Sequence, residues 1–304
     1  MTKQKIVFLG REIHLRTKSD EFFVEILKEV GDVTVLRREA YSNAECIKYI
    51  QKLAPELLIF YQLPPSVWHH LMPLRGIRKV WVPMYDGFKE LSWKKRVAFR
   101  LAGVEVISFC QRIHDHVVDS GLSSQRVCLF PEPDHNGLQH SHEPPYTAFL
   151  WQRDRSINLQ LLTKLFPAGH IQKVIFKSDL AEPTHLNVPF EVEHLEGWLS
   201  REALLEKIRQ ADYYIAPRHQ EGIGFSFLEA MAMGKIVVGH NDATMNEYIQ
   251  DGVTGHLFDS YGPLQPSWPT PAAMQSSLEQ YCHKAHIDWK RDRQAIKDYL
   301  SCAL

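Results

Sequence analysis

The residues with the clearest chemical content lie between Pro217 and Gly234, PRHQEGIGFSFLEAMAMG, where Glu221 and Glu229 bracket a short glycine-bearing loop. A strand precedes the segment, and a short helix ending at Gly234 follows the loop. Strand, glycine loop and helix start together form an anion-binding arrangement. Gly222 and Gly224 remove side chains so that backbone N–H groups can approach a ligand, and the positive end of the helix dipole favours a phosphate there. Two other readings compete. Ser226-Phe227-Leu228-Glu229 fits a capping box, in which both side chains only satisfy helix-end N–H groups. Gly222-Ile223-Gly224 also begins like a dinucleotide fingerprint, but Phe227 fills the third glycine position and the loop lies deep in the chain.

The elements that must hold this loop are read from the hydropathy pattern. Short apolar runs alternate with amphipathic stretches from Ile6-Val7-Phe8-Leu9 onward, through Val33–Leu36, Leu57–Phe60, Lys79–Val82 and a strand read from Arg126 to Phe130. This is the β-α-β pattern of a parallel sheet. Pro131 to Pro145 then holds four prolines and three histidines (His135, His140, His142) with almost nothing apolar, and reads as a solvated linker to which no metal is assigned. Alternation resumes at Thr147–Trp151 and runs through Val174–Phe176, Tyr213–Ala216 and Ile236–Val238. Helical patterns around Met274–Tyr281 and Trp289–Leu300 close the chain. The expected organisation is a first α/β domain over 1–133, a linker over 134–145, a second α/β domain over 146–285, and a last helix over 286–304 that could pack back on the first domain.

Length and composition agree with two domains: 304 residues, 44% hydrophobic and 23% charged. The net charge of −1 gives no field that would favour nucleic acid as a partner. The five cysteines are scattered without a Cys-x-x-Cys pair, which argues against a disulfide framework or zinc knuckle and fits a reducing cytoplasm. No apolar run approaches the roughly 18 residues needed to span a bilayer, and Met1–Lys5 leads straight into a strand, so a cytoplasmic protein is expected.

The 217–234 segment resembles the retaining GT-B glycosyltransferases of family 4, whose loop Glu-Gly-x-Gly-x-x-x-x-Glu it matches at Glu221, Gly222, Gly224 and Glu229. The similarity extends over Ala230–Gly234, Asn246-Glu247-Tyr248-Ile249 and Asp251–Phe258. The first half of the chain matches only in its α/β texture. The resemblance implies a GT-B fold, two Rossmann-like domains facing each other across a cleft. It also implies transfer of a sugar, with retention and without a metal or other cofactor, from a nucleotide-diphosphate sugar to a glycan or glycolipid acceptor in polysaccharide biosynthesis.

Carried over by residue, it sets Glu221 beside the transferred sugar and Glu229 on the ribose hydroxyls, where a carboxylate can accept from two neighbours. It also sets the N–H groups of Gly224, Phe225 and Ser226 toward the donor. The family's arginine and, five residues on, its lysine fall on Arg153 and Asn158; the second is a departure for which Arg155 is a candidate substitute. No Asp-x-Asp triplet is present, in agreement with metal-independent chemistry.

For the acceptor, Asp86 in the loop Pro83–Gly87 is the candidate orienting group, with a plain turn as its alternative, and Gly10-Arg11-Glu12 has similar standing. Leu91–Leu101 mixes basic and apolar residues, which suits either contact with an anionic membrane or a half-buried surface helix. A nucleotide-sugar epimerase and a non-catalytic sugar-nucleotide or partner-binding subunit stay open beside the transferase. Donor base and sugar are not legible, although Glu196-Gly197-Trp198-Leu199 and Arg218-His219 are the residues expected near them.

Overall fold

A computed structural model describes residues 3–88, 90–134, 143–180, 187–259 and 270–302. The chain divides into two compact units, one formed by residues 1–129 with 288–304 and the other by residues 130–287. Among the described residues no helix is long and apolar enough to cross a membrane.

The first unit is a six-stranded sheet, β1 (Gln4–Gly10), β2 (Gly31–Arg37), β3 (Leu57–Tyr61), β4 (Arg78–Val82), β5 (Val104–Ser108) and β6 (Ser124–Arg126), in the order β2-β1-β3-β4-β5-β6. Every pairing is parallel. Parallel strands need crossovers, here supplied mainly by α1 (His14–Thr17), α2 (Glu21–Val30), α3 (Asn43–Leu53), α4 (Pro65–Trp68), α5 (Trp93–Leu101) and α6 (Gln111–Asp119). With both faces covered, β3 and β4 are buried along their whole length, which is why β3 and the Val80–Val82 end of β4 run apolar instead of alternating. Phe60 stacks on Trp68 at 4.1 Å, and Phe8, Phe23 and Tyr61 pack ring to ring. Ser42 and Glu45 form a complete capping box on α3, which contributes about 1 kcal/mol.

The second unit holds β7 (Tyr146–Gln152), α7 (Leu159–Leu165), β8 (Ile171–Ser178), β9 (Glu191–Leu195), α8 (Arg201–Arg209), β10 (Tyr213–Ile215), α9 (Phe225–Ala232), β11 (Ile236–His240), α10 (Met245–Tyr248) and β12 (Gly255–Phe258). Its parallel sheet has the order β12-β11-β10-β7-β8-β9. The chain therefore builds outward from β7 through β8 to β9, then returns to the other side of β7 for β10. That reversal makes the carboxyl ends of β7 and β10 the switch point at which open α/β sheets bind ligands. In the first unit the same reversal falls between β1 and β3.

Three elements differ from the sequence reading. β9 escaped notice because Glu-Val-Glu-His-Leu is an edge strand whose acids are spent on ion pairs, Glu193 with Lys173 at 2.7 Å and with Lys207 at 2.6 Å. β6 covers Ser124–Arg126, earlier than the apolar run of 126–130 suggested. The two closing helical patterns are one helix, α11 (Pro271–Ser301), since the polar residues between them include neither Gly nor Pro. Its residues from 288 onward belong to the first unit, where Lys297 pairs with Glu29 at 3.1 Å. There the buried Arg78 grips Glu105 at 2.8 and 2.7 Å and the carbonyls of Leu300 and Cys302 at 3.2 Å each.

Candidate functional site

The loop after β10 carries Glu221 to Gly224 to the start of α9. Gly224 is the N-cap of that helix and has φ +81°, a left-handed conformation that glycine adopts freely. A Cβ at this position would lie 1.9 Å from Cε1 of Phe227, so both backbone and packing require glycine here. Because α9 begins at Phe225, Ser226 sits inside its first turn and is not its cap, and no side chain caps the helix. The capping-box reading of Ser226 and Glu229 is thereby overturned, and Glu229 pairs with Arg201 instead.

Glu221 is only 6% exposed. Its carbonyl accepts from Thr244 Oγ1 at 2.9 Å, and the same hydroxyl lies 3.2 Å from the Gly222 carbonyl. Thr244, in the turn after β11, is fully buried and has φ +74° and ψ −61°, the strained γ-turn conformation that a β-branched residue rarely adopts. Strain of this kind costs on the order of 1–3 kcal/mol and persists where surrounding structure imposes it. Here it sets the hydroxyl across two consecutive carbonyls of the glycine loop.

The loop after β7 carries the sequence-predicted cations. Arg153 is one-third exposed, lies 5.3 Å from the Trp151 ring centroid, and approaches Asp179 at 3.9 Å. Arg155 is exposed, and its carbonyl accepts from Asn158 Nδ2 at 2.8 Å. Asn158, at the position where the resemblance expects lysine, is the N-cap of α7 and accepts from Leu161 N at 2.9 Å. Its side chain is consumed by the helix end.

Between these two loops runs a short polar chain. Asp154 Oδ1 accepts from Ser156 Oγ at 2.6 Å, and that hydroxyl meets Nε2 of His219, from the loop after β10, at 2.7 Å. His219 in turn sits edge-on to His240 at 4.4 Å. Burial opposes ionisation of Asp154, yet the hydroxyl and backbone N–H of Ser156, with the positive field of His219 and Arg218, hold its carboxyl below the ordinary value. His240 is pushed down chiefly by burial, with His219 adding to it.

The predicted residues lie at the ends of neighbouring strands of the second sheet, β7 and β10. Tyr214 on β10 is fully buried and feels the charges of Glu221, Glu229 and Arg153. Burial drives the phenol well above its ordinary value; Glu221 and Glu229 raise it further, and Ser226 and Arg153 oppose them. Glu229 is held by an ion pair with Arg201, at the start of α8. Glu196, Gly197 and Trp198 are exposed in the loop before α8. Sequence reasoning missed Tyr214, Thr244 and Arg201. None has a local signature, because their relation to the loop depends on strand register and on helices distant in sequence.

The remaining predicted residue, Asp86, belongs to the first unit, exposed in the turn Tyr85–Gly87 after β4. That turn is one strand removed from the first sheet's own switch point, where Gly10-Arg11-Glu12 follows β1. There Arg11 pairs with Glu39 at 3.5 Å, and Arg37 with the buried Asp20. His14, buried and pushed down mainly by that burial, meets Ser19 Oγ at 2.7 Å. His135, His140 and His142 lie outside the described residues.

Comparison with known proteins bears on the fold and on the segment that carries the glycine loop. Residues 186–265, which include the whole Glu221–Glu229 segment, match the family described as Glycosyl transferases group 1. Comparison with curated proteins gives no match. Among solved structures, the chain is similar to a glycosyltransferase from Rickettsia africae, at 12% identity and TM-score 0.65, covering 98% of each chain. It is similar to sucrose-phosphate synthase from Thermosynechococcus elongatus, at 13% identity and TM-score 0.67, again covering 98% of each. A third is Anabaena HepE in complex with UDP and glucose, at 13% identity and TM-score 0.61, covering 98% of this chain and 99% of that one. The fold is therefore that of GT-B glycosyltransferases, and the segment matching the group 1 family is the one that carries the glycine loop and both glutamates.

Proposed function

We propose that the protein is a glycosyltransferase that moves a sugar from a nucleotide-diphosphate donor to a glycan or glycoconjugate acceptor, with retention of configuration and without a metal. The observation that carries this reading is that the Glu221–Gly224 loop, opened ahead of α9, and the loop bearing Arg153 follow β10 and β7, neighbouring strands where the second sheet reverses, and are tied together by Ser156 and His219 at 2.7 Å. As the sugar–phosphate bond breaks, negative charge grows on the leaving diphosphate and the sugar carbon becomes cation-like. Catalysis then rests on charge stabilisation and positioning. The start of α9 and Arg153 serve the phosphate, Glu229 the ribose and Glu221 the sugar. With retention, the acceptor attacks from the face the phosphate leaves, and the departing phosphate helps take its proton.

Uridine nucleotides are the first donors to test, because the similar Anabaena protein was solved with UDP and glucose and with UDP-glucose. A thermal-shift panel of UDP, GDP, TDP and ADP with their sugars checks the reading. A ligand at 100 times its dissociation constant stabilises by about 2.7 kcal/mol. One nucleotide should give such a shift, and Glu229→Ala should remove it. Silence across the panel with folded protein defeats the reading, and donor turnover without any acceptor points to an epimerase.

The acceptor reading has a surface to go with it. On α5, Trp93, Val97 and Leu101 are 69%, 45% and 85% exposed at helical spacing, while Phe99 on the other side is buried. Lys94, Lys95, Arg96 and Arg100 share the helix with no acid. An exposed apolar ridge with four cations fits the face of an anionic membrane, where a glycolipid acceptor would be met. Co-sedimentation with vesicles that contain or lack anionic lipid is expected to show binding only to the former and its loss in Trp93→Ser/Leu101→Ser. Indifference to lipid charge removes the idea.

A further inference from the structure

Lys177 and Trp151 are paired residues on neighbouring strands β8 and β7. Alternation along a strand puts Arg153 and Asp179, each two residues on, on the same face. The four side chains meet. The Lys177 ammonium and the Arg153 guanidinium each lie 5.3 Å from the centre of the Trp151 ring, and both face Asp179, at 3.1 and 3.9 Å. Lys177 is 5% exposed, and among the described residues its ammonium has one hydrogen-bond acceptor, Asp179 Oδ1. Its other two N–H donors are unspent. The indole Nε1 of Trp151 is buried and likewise has no partner among the described residues. The cluster thus holds two cations and an unused indole donor against one carboxylate. A buried surplus of donors and positive charge is chemically an anion site.

We infer that Lys177 and the Trp151 indole N–H join Arg153 in binding the diphosphate of the donor, with Asp179 as the internal carboxylate from which a phosphate oxygen draws Arg153. The looser Arg153 contact is the one that yields, and Lys177 keeps Asp179 in place. The cluster adjoins the glycine loop, since β7 pairs with β10 and Ser156, in the loop that carries Arg153, meets His219, in the loop that carries Glu221, at 2.7 Å. The arrangement also resolves a vacancy in the sequence: Asn158 is consumed as the cap of α7, and the second cation comes instead from the strand beside Arg153. This inference rests on the donor reading above.

Calorimetric titration of the full chain separates the two. The probes are the nucleoside diphosphate selected by the thermal-shift panel, its monophosphate and its nucleoside, against Lys177→Met, Lys177→Arg and Asp179→Asn. Loss of one charge-assisted contact should weaken the diphosphate about tenfold in Lys177→Met and leave the nucleoside unchanged. Lys177→Arg should retain diphosphate binding, and Asp179→Asn should tighten it. Unchanged diphosphate affinity in folded Lys177→Met, or an equal loss for the nucleoside, overturns the inference and leaves the donor reading standing. If Lys177→Met does not fold, weaker diphosphate binding in Asp179→Asn overturns it instead. An unaltered chain that binds no nucleotide in the panel defeats the donor reading first.

Discussion

The two sheets have the same construction and different ends. Each has six parallel strands whose chain reverses direction beside its first strand, at β1/β3 in one unit and β7/β10 in the other. At the first reversal the polar groups close on one another: Asp20 on Arg37, Glu39 on Arg11 and the Glu12 N–H, His14 on Ser19. At the second, a glycine with φ +81° opens the backbone ahead of a helix start, and a strained threonine holds the loop carbonyls. Nearby, two cations share one carboxylate. A common scaffold thus carries, in one unit, a loop cluster whose charges pair among themselves while His14 Nε2 and Arg37 Nε stay buried without a hydrogen-bond partner among the described residues, and in the other a glycine-opened loop at a helix start.

The comparison can be broken most sharply at its carboxylates. Glu221→Gln is expected to reduce sugar transfer by roughly 10²–10³ with folding intact, as loss of a group that acts on developing charge does. Asp86→Asn in the first unit tests the acceptor assignment by steady-state kinetics. A change in acceptor KM or turnover keeps Asp86 in the site, and wild-type kinetics return it to an ordinary turn.

Glycine substitutions sharpen the contrast in stability. Gly224→Ala must adopt a left-handed backbone and push Phe227 aside, which costs about 2–4 kcal/mol in chemical denaturation. Gly10→Ala, at the end of β1, meets only the Phe8 ring at 2.8 Å and Arg37 at 3.0 Å, without a positive φ. It should cost about 1 kcal/mol. Equal costs would remove the claim that the second loop is conformationally special.

The smallest expected effect is on pH. His14 and His70 in the first unit and His170 and His240 in the second are all pushed down chiefly by burial. A lowered folded value means the unfolded chain binds more protons, so stability is present above the ordinary histidine value of 6.5 and falls as pH drops through it. Melting temperatures from pH 8 to 5.5 should decline most steeply below pH 6.5. A donor site that includes the His219–His240 pair should make the nucleotide-bound protein follow a different curve from the free one.

What could be read in advance follows from the same contrast. The parallel α/β architecture was legible because buried strands such as Leu57–Tyr61 leave continuous apolar runs, and the glycine loop because its chemistry is contiguous in sequence. β9 was not legible, since its charges pair across strand and helix, and neither was the use of Asn158 as a helix cap. The Lys177–Trp151–Arg153 cluster depends on strand register between residues more than 20 positions apart, a relation no local pattern encodes. Thr244 is similar: its φ of +74° is imposed by tertiary structure against its own preference.

The central claim is that the ends of β7 and β10 form the donor site, and hydrogen–deuterium exchange with and without the selected nucleoside diphosphate tests it most directly. The account predicts added protection in the loop 151–156 and in 221–229, with residues 10–14 and 85–87 unaffected by the nucleotide alone. Protection confined to the first unit, or none at saturating nucleotide, would contradict it.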